Sequence, residues 1–160
     1  MTVFDFKTTS DTSNWKIVDD TVMGGRSNGH FELSKDGHGV FYGEVSLENN
    51  GGFSSVRYIM NKKSVETFSK FKLRIKGDGK TYQFRAKNDS GQRYNYLFEF
   101  DSSGDWETIT IPFSEMYASF RGNRLDIPNY RGNHLQEIAF LIGNKKEQKF
   151  KLLIDSITVE

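Results

Sequence analysis

With 160 residues, this chain is long enough to form one domain with its own hydrophobic core. Its 22 basic and 21 acidic residues give a formal net charge of +1, so the overall charge offers no electrostatic reason to expect a nucleic-acid partner or an anionic membrane. The sequence contains no cysteine, which excludes disulfides, thiol catalysis and cysteine-ligated zinc. We therefore predict a single domain over residues 1–160.

The start of the chain does not have the features of a targeting segment. Residues 1–13 (MTVFDFKTTSDTS) lack the basic region and the long apolar run of a secretory signal. They contain two acids and no arginine, unlike a mitochondrial transit peptide. No window approaches the ~20 apolar residues of a membrane-spanning helix. These features predict a cytoplasmic protein that does not insert into a membrane.

Apolar residues recur at every second position along most of the chain, which predicts strands with one face in a core and the other in solvent. In chain order, the predicted strands are 3–7, 30–33, 40–47, 53–59, 71–75, 82–86, 94–100, 107–112, 138–143 and 150–159. Turn signals at 77–79, 88–91 and 102–105 join the middle strands into a meander. One short helix is predicted over 113–120, and the longest irregular segment over 121–133.

Short strands with frequent turns predict an all-β fold, an antiparallel β-sandwich or jelly roll. The segments 3–7 and 150–159 are both strong alternating strands. We expect them to lie side by side, because pairing the terminal strands protects sheet edges that would otherwise invite aggregation.

Two segments combine a Gly-Gly pair with charged and aromatic residues. Residues 15–27 (WKIVDDTVMGGRS) contain a tryptophan, two adjacent carboxylates, Gly-Gly and an arginine, and residues 49–57 (NNGGFSSVR) repeat the Gly-Gly pair. Glycine allows positive φ and close backbone approach, so we expect the two segments to meet. If Asp20 lies close to Arg26 or Arg57, their charge pair would hold them together. The residues fit a buried loop tied by its own side chains and a binding site equally well.

Few residue patterns of catalysis or metal binding are present. The sequence has no nucleophile elbow, no dinucleotide fingerprint and no phosphate loop, and its three histidines lack metal-ligand spacing. Asp19 and Asp20 could serve as acid and base, but neighbouring residues on a strand point to opposite faces. A paired-carboxylate mechanism would therefore need a second acid from elsewhere. We expect no enzyme activity, no metal and no cofactor.

Several arginines are candidates for binding an anion. If the central strands expose one sheet face, Arg74, Arg85 and Glu99 could line one groove. The planar guanidinium suits carboxylates and phosphates, whereas the alternative is a solvated face with surface ion pairs. The pattern favours the solvated face for Arg74 and leaves both alternatives open for Arg26, Arg57 and Arg85.

The chain also contains a series of short motifs in a fixed order. They are W-x-I-V-D-D-x-V-M-G-G-x-S from position 15, F-x-G-x-V-S from 41, N-G-G-F-S-S-V-R from 50, R-I-K-G-D-G-K-x-Y from 74, I-P-F from 111, R-G from 121 and L-L-I-D-S-I from 152. In order and spacing, this series resembles the complex I intermediate-associated protein 30 family over nearly the whole chain. Mitochondrial relatives carry an extra N-terminal region, so we expect a stand-alone bacterial member.

The resemblance implies a fold, a role and a set of site residues. The fold is galactose-binding-domain-like, as in many carbohydrate-binding modules, and the role of mitochondrial members is to assist assembly of respiratory complex I without catalysis. The family's signature positions correspond here to Trp15, Asp20, Met23, Gly24, Gly25, Arg26, Ser27, Gly52, Phe53, Arg57, Gly77, Asp78, Gly79 and Arg121. Position 26 is often small and apolar in the family. Modules of this fold often hold calcium near the terminal strands, but no convincing set of carboxylates accompanies Asp155.

Three classes of function are open. The leading one is a non-catalytic protein-binding module, a chaperone for assembly of a respiratory or other membrane complex, with protein partners and no nucleic acid. The second is a carbohydrate-binding module, although Trp15 and Trp106 lie in motifs that look structural and no secretion signal is present. The third is a small-ligand binder or enzyme that uses the corner formed by Asp20, Arg26 and Arg57. We add Arg85 to the candidate binding residues.

Overall fold

The alternating segments form two antiparallel sheets in the computed structural model, which describes residues 1–20 and 24–160. Within these residues the strands are β1 (Thr2–Asp5), β2 (Trp15–Asp19), β3 (Asn28–Leu33), β4 (Gly39–Val45), β5 (Ser54–Ser64), β6 (Lys70–Lys76), β7 (Thr81–Lys87), β8 (Asn95–Asp101), β9 (Trp106–Pro112), β10 (Tyr117–Phe120), β11 (Asn123–Arg124), β12 (His134–Ile142) and β13 (Gln148–Val159). Two short 3-10 turns cover Glu48–Asn50 and Phe113–Glu115. The predicted antiparallel β-sandwich is confirmed.

The two sheets differ in size and order. The six-stranded sheet has the order β3-β4-β13-β6-β9, with β1 also paired to β13. The seven-stranded sheet has the order β11-β10-β8-β7-β12-β5-β2. Side chains between the sheets form the core, and we call the opposite side of each sheet its outer face.

The terminal strands pair as predicted. Thr2 lies opposite Thr158 and Phe4 opposite Ile157 in an antiparallel ladder between β1 and β13. The N-terminal ammonium also donates a hydrogen bond of 2.8 Å to the carbonyl of Val159. Because β13 is twelve residues long, it pairs with β4 along its first part and with β1 along its last part. β1 is thereby hydrogen-bonded to an interior strand of the six-stranded sheet.

The predicted alternation holds in the central strands. Phe71 on β6 and Phe84 on β7 are both fully buried, and their rings meet across the core at 4.9 Å. The basic residues between the apolar ones on β6 point to the outer face of the six-stranded sheet. Burial of large apolar side chains at this density is the main source of stability in a domain of this size.

The predicted central meander is wrong at its first and third connections, because β6 and β9 lie in the six-stranded sheet whereas β7 and β8 lie in the seven-stranded one. The chain crosses from β6 in one sheet to β7 in the other, whereas β7 and β8 form the expected antiparallel pair. Because β6 and β7 lie in different sheets, their apolar faces pack against each other across the core, whereas in a meander the two strands would be neighbours in one sheet. It also places Arg74 and Arg85 on opposite outer faces of the sandwich, so they cannot line one groove with Glu99.

The predicted helix over 113–120 is also wrong. The chain forms one 3-10 turn and then strand β10, in which Tyr117 pairs with Leu97 and Ser119 with Asn95 on β8. Hydrogen bonding to a neighbouring strand overrides the weak local helix signal, and Tyr and Phe favour strands. Within the described part of the chain, no helix is long and apolar enough to cross a membrane.

Candidate functional site

Strand β2 is followed by a carboxylate that accepts four hydrogen bonds. Asp20 is 1% exposed. It accepts bonds from the backbone N–H of Ser27 at 2.9 Å, the hydroxyl of Ser27 at 2.6 Å, and the N–H groups of Gly52 at 2.6 Å and Phe53 at 3.2 Å. These donors come from the two Gly-Gly segments, which therefore meet as predicted.

The adjacent carboxylate connects different elements. Asp19 accepts hydrogen bonds from the hydroxyl of Ser54 at 2.5 Å and from the N–H of Gly29 at 2.8 Å. Gly29 lies on β3 in the six-stranded sheet, whereas Ser54 begins β5 in the seven-stranded sheet. We call Asp19, Asp20 and their donors the carboxylate latch, because together they tie one sheet to the other.

Each Gly-Gly pair uses its two glycines for different purposes. Gly24 and Gly52 have positive φ angles of 89° and 143°, which side chains disfavour. At Gly51, an added Cβ would lie 2.5 Å from an Asp20 carboxylate oxygen, and at Gly25 it would overlap the same carboxyl group. One glycine of each pair therefore turns the chain, and the other leaves room for Asp20.

The hydrogen bonds keep Asp20 ionised. Burial acts to raise the pKa of this carboxyl, but the bonds donated by Ser27, Gly52 and Phe53 together outweigh burial and hold the pKa below its usual value. The four donors occupy the carboxylate oxygens, so the group is poorly suited to exchange protons with a substrate.

The condition for a charge pair with Asp20, a nearby Arg26 or Arg57, is not met among the described residues. Arg26 lies 3.6 Å from Glu48, in an ion pair between two well-exposed side chains. Arg57 extends from the outer face of the seven-stranded sheet, and among the described residues neither arginine forms an ion pair with Asp20. Met23 falls outside the described residues. The latch is therefore held by N–H and hydroxyl donors rather than by an arginine.

Three further candidate residues lie apart from the latch. Trp15 stacks between Phe31 and Tyr58, with ring centroids at 5.1 and 4.9 Å, and is buried in the core. Asp78, in the turn after β6, accepts hydrogen bonds from the hydroxyl of Tyr82 on β7 and from the N–H of Lys151 on β13. Arg121 is exposed in the turn after β10. The structure does not bring these three together.

A different group of residues converges on the outer face of the seven-stranded sheet. The strand pairings place one residue from each of six neighbouring strands in a cross-strand row, in the order Lys16, Arg57, Ala139, Arg85, Leu97 and Tyr117. We call this set the basic row. Arg57 and Arg85 were candidates from the sequence, whereas the other four were not.

Within residues 1–20 and 24–160, the two arginines of the basic row have no acidic partner. Arg85 donates from Nε and Nη2 to the side-chain oxygen of Gln83, at 3.0 and 2.8 Å. No carboxylate of the described residues lies within 4.0 Å of Arg57 or Arg85. Burial, and then the like charge of Arg57, lower the pKa of Arg85 to about 10. The guanidinium is still charged at neutral pH.

The same outer face carries buried apolar side chains. Leu97, Ala139 and Leu141 are at most 7% exposed, although they do not belong to the core cluster between the sheets. Beside them, Lys87 and Glu137 form a buried ion pair at 3.6 Å, so the Glu137 carboxylate already has a cationic partner. The sequence did contain a signal: Leu97 interrupts the polar side of β8, and residues 138–142 are continuously apolar.

Metal binding finds no support in this arrangement. Among residues 1–20 and 24–160, no three or more His, Asp and Glu side chains form a group that could hold a metal ion.

The sandwich belongs to the jelly-roll, galactose-binding-like class. It is similar to a family 11 carbohydrate-binding module of the cellulosomal cellulase Lic26A-Cel5E of Clostridium thermocellum, with a TM-score of 0.72 and 18% identity over 99% of this chain and 92% of that chain. A family 11 module from Clostridium thermocellum in complex with a β-1,3-1,4-mixed-linked tetrasaccharide gives a TM-score of 0.67 and 18% identity, covering 96% and 92%. At this identity, the likeness shows the fold alone.

The chain belongs to the complex I intermediate-associated protein 30 family, whose model matches residues 4–154. It is 27% identical to the mitochondrial protein of that name from Mus musculus, over 98% of this chain and 55% of the mouse protein. The corresponding protein of Drosophila melanogaster is 26% identical, over 99% of this chain and 62% of its own length. The chain thus spans a little over half the length of these relatives, and the predicted family membership is confirmed.

We expect Asp20→Ala to lower the free energy of unfolding by about 3 kcal/mol or more, because it leaves buried donors without their acceptor. Arg57→Ala should cost less than about 1 kcal/mol, since no ion pair is lost. The effects should add in the double variant, because the two side chains share no partner. Urea denaturation of the four proteins measures this. A coupling above about 1 kcal/mol would show a direct interaction and contradict the structure.

The difference in free energy of unfolding between the wild type and Asp20→Asn, here called the gap, should depend on pH. Because folding lowers the pKa of Asp20, its contribution is complete above the unfolded-state pKa of about 4 and is lost as the pH falls through the lower folded-state pKa. Between about pH 6 and about pH 5 the gap should therefore stay constant, and from about pH 5 down to about pH 3 it should shrink. Urea denaturation across this range measures it, and a gap that stays constant or widens below about pH 5 would contradict the latch.

Gly25→Ala should lower the free energy of unfolding by about 2 kcal/mol or more, because the new methyl group displaces the Asp20 carboxylate from its donors. Gly104→Ala is the matched control, since its Cβ would enter open space and should change stability by less than about 0.5 kcal/mol. Thermal and urea unfolding measure both. Equal effects of the two substitutions would refute the steric role of Gly25.

Proposed function

We propose that this chain is a non-catalytic protein-binding module that assists the assembly of a multisubunit complex, with a respiratory or other membrane complex as the client. The observation that carries the proposal is the family match over residues 4–154, since relatives in that family are named for association with complex I intermediates. The match includes the residues of the carboxylate latch and the strands that hold the basic row.

The distribution of hydrogen-bond partners supports binding rather than catalysis. The buried carboxylates Asp19 and Asp20 are both engaged by donors of the protein itself. Arg57 and Arg85, by contrast, lie on a sheet face with no acidic partner among the described residues. Groups that remain available for an external partner are therefore found on the seven-stranded sheet. We place the function in the cytoplasm, as the sequence predicted.

Carbohydrate binding is the second candidate, because a structurally similar module is known in complex with a tetrasaccharide. Sugar-binding faces usually present open aromatic rings. Here Trp15 is in the core, and Trp106 lies on the six-stranded sheet with its ring 4.6 Å from that of His38. The aromatic of the basic row, Tyr117, has the guanidinium carbon of Arg124 4.6 Å above its ring. These contacts disfavour a sugar platform.

Affinity capture with crosslinking in the native host tests the proposal. We expect subunits of one multisubunit complex to be enriched, and deletion of the gene to cause a partly assembled form to accumulate on native gels, reversed by the wild-type gene. The matched negative control is a family 11 carbohydrate-binding module, which shares the fold. Normal assembly after deletion, together with saturable binding of the mixed-linked tetrasaccharide, would replace the assembly function with the carbohydrate one.

A further inference from the structure

We propose that the basic row binds a carboxylate side chain of the protein partner, held between Arg57 and Arg85 above the methyl group of Ala139. The inference rests on the proposed function only for the source of that carboxylate, a polypeptide. The site itself follows from strand register, burial and charge on the outer face of the seven-stranded sheet.

Strand register creates a gap of suitable size between the two arginines. Arg57 pairs with Ala139 on one side, and Arg85 pairs with Ala139 on the other. Neighbouring strands lie about 4.8 Å apart, so the two arginine backbones are separated by roughly 10 Å. Between them stands only a methyl group. Arg57 can present a planar fork of donors to a carboxylate over this gap, and Arg85 can present the Nη hydrogens that its bonds to Gln83 leave free.

The electrostatics of the row favour an anion. Arg57 and Arg85 repel each other, and burial of Arg85 reduces the screening of this repulsion by water. Glu137 lies on β12, two residues before Ala139, and is already paired with Lys87. Lys16, at the end of the row, adds a further positive charge. A bound carboxylate would neutralise a charge that the described residues leave uncompensated.

The other half of the row fits an apolar side chain. Leu97 follows Arg85 in the row but is only 2% exposed, so the accessible apolar surface is the partly exposed ring of Tyr117, which borders it. The distance from Ala139 to Tyr117 spans three strand spacings, about 14 Å, which an extended segment covers in about four residues. Side chains about four positions apart in an extended segment point to the same face, so the partner segment has an Asp or Glu and an apolar residue about four positions apart. Free phosphate or a neutral sugar would use only part of this surface.

The test uses the full chain, labelled with nitrogen-15, and a capped heptapeptide of sequence Gly-Glu-Ala-Ala-Ala-Leu-Gly. The arginine Nε–H signals in NMR spectra report directly on the guanidinium groups. We expect those of Arg57 and Arg85 to shift on titration, while that of Arg74, on the opposite sheet, stays in place. The matched peptide with glutamine in place of glutamate should bind about tenfold more weakly.

Variants then test each arginine. Arg57→Gln and Arg85→Gln should each weaken binding of the glutamate peptide by about tenfold, and Arg85→Lys by less, since it keeps the charge but loses the fork. Arg74→Gln is the matched control and should bind like the wild type. The signal shifts in the wild type need no substitution, so they test the site even if a variant fails to fold.

Several results would overturn the inference. These are equal shifts with the glutamine peptide, inorganic phosphate binding as tightly as the glutamate peptide, or the mixed-linked tetrasaccharide shifting the same two signals. Undiminished capture of a host complex by the Arg57→Gln, Arg85→Gln double variant would also overturn it, while leaving the proposed function in place. Glutamate-specific binding without any captured complex would support the site and count against the assembly function.

Discussion

An ionised carboxylate buried from water has to receive hydrogen bonds, and Asp20 imposes this constraint on the rest of the structure. Its donors come from the segment before β3 and the segment before β5. Both segments can reach it only because Gly25 and Gly51 have no side chain. The start of β5 is fixed in this way, and Arg57 is the fourth residue of that strand. A structural charge therefore determines the position of a candidate binding residue.

The charged groups of this sandwich fall into two kinds. Asp19, Asp20 and the pair of Lys87 and Glu137 are buried and fully engaged, which is what a buried charge requires. Arg57 and Arg85 are different, because their charges face each other without an acid nearby among the described residues. This difference separates side chains that hold the fold from side chains available to a partner, although all of them belong to the same β-sandwich.

The sequence predicted local structure better than it predicted proximity. The alternation of apolar and polar residues located most strands, because the burial of every second side chain requires an apolar residue at every second position. Sheet membership was missed for β6 and β9, and strands were missed at β2, β10 and β11, since partner choice depends on distant residues. The Gly-Gly motifs located Asp20 and its donors, but backbone N–H groups leave no residue-specific mark, so an arginine was expected instead. Arg57 and Arg85 converge only because β12 lies between β5 and β7, which chain order does not indicate.

The last strand of the chain is an interior strand of its sheet. β13 separates β4 and β1 on one side from β6 on the other, so without it the six-stranded sheet is three unconnected pieces, β3-β4, β1 and β6-β9. During synthesis on the ribosome, this sheet cannot close until β13 has emerged. The strands of the seven-stranded sheet are all complete by Ile142. The nascent chain therefore exposes one apolar sheet face until β13 is available, and during that time the face is open to chaperones and to aggregation.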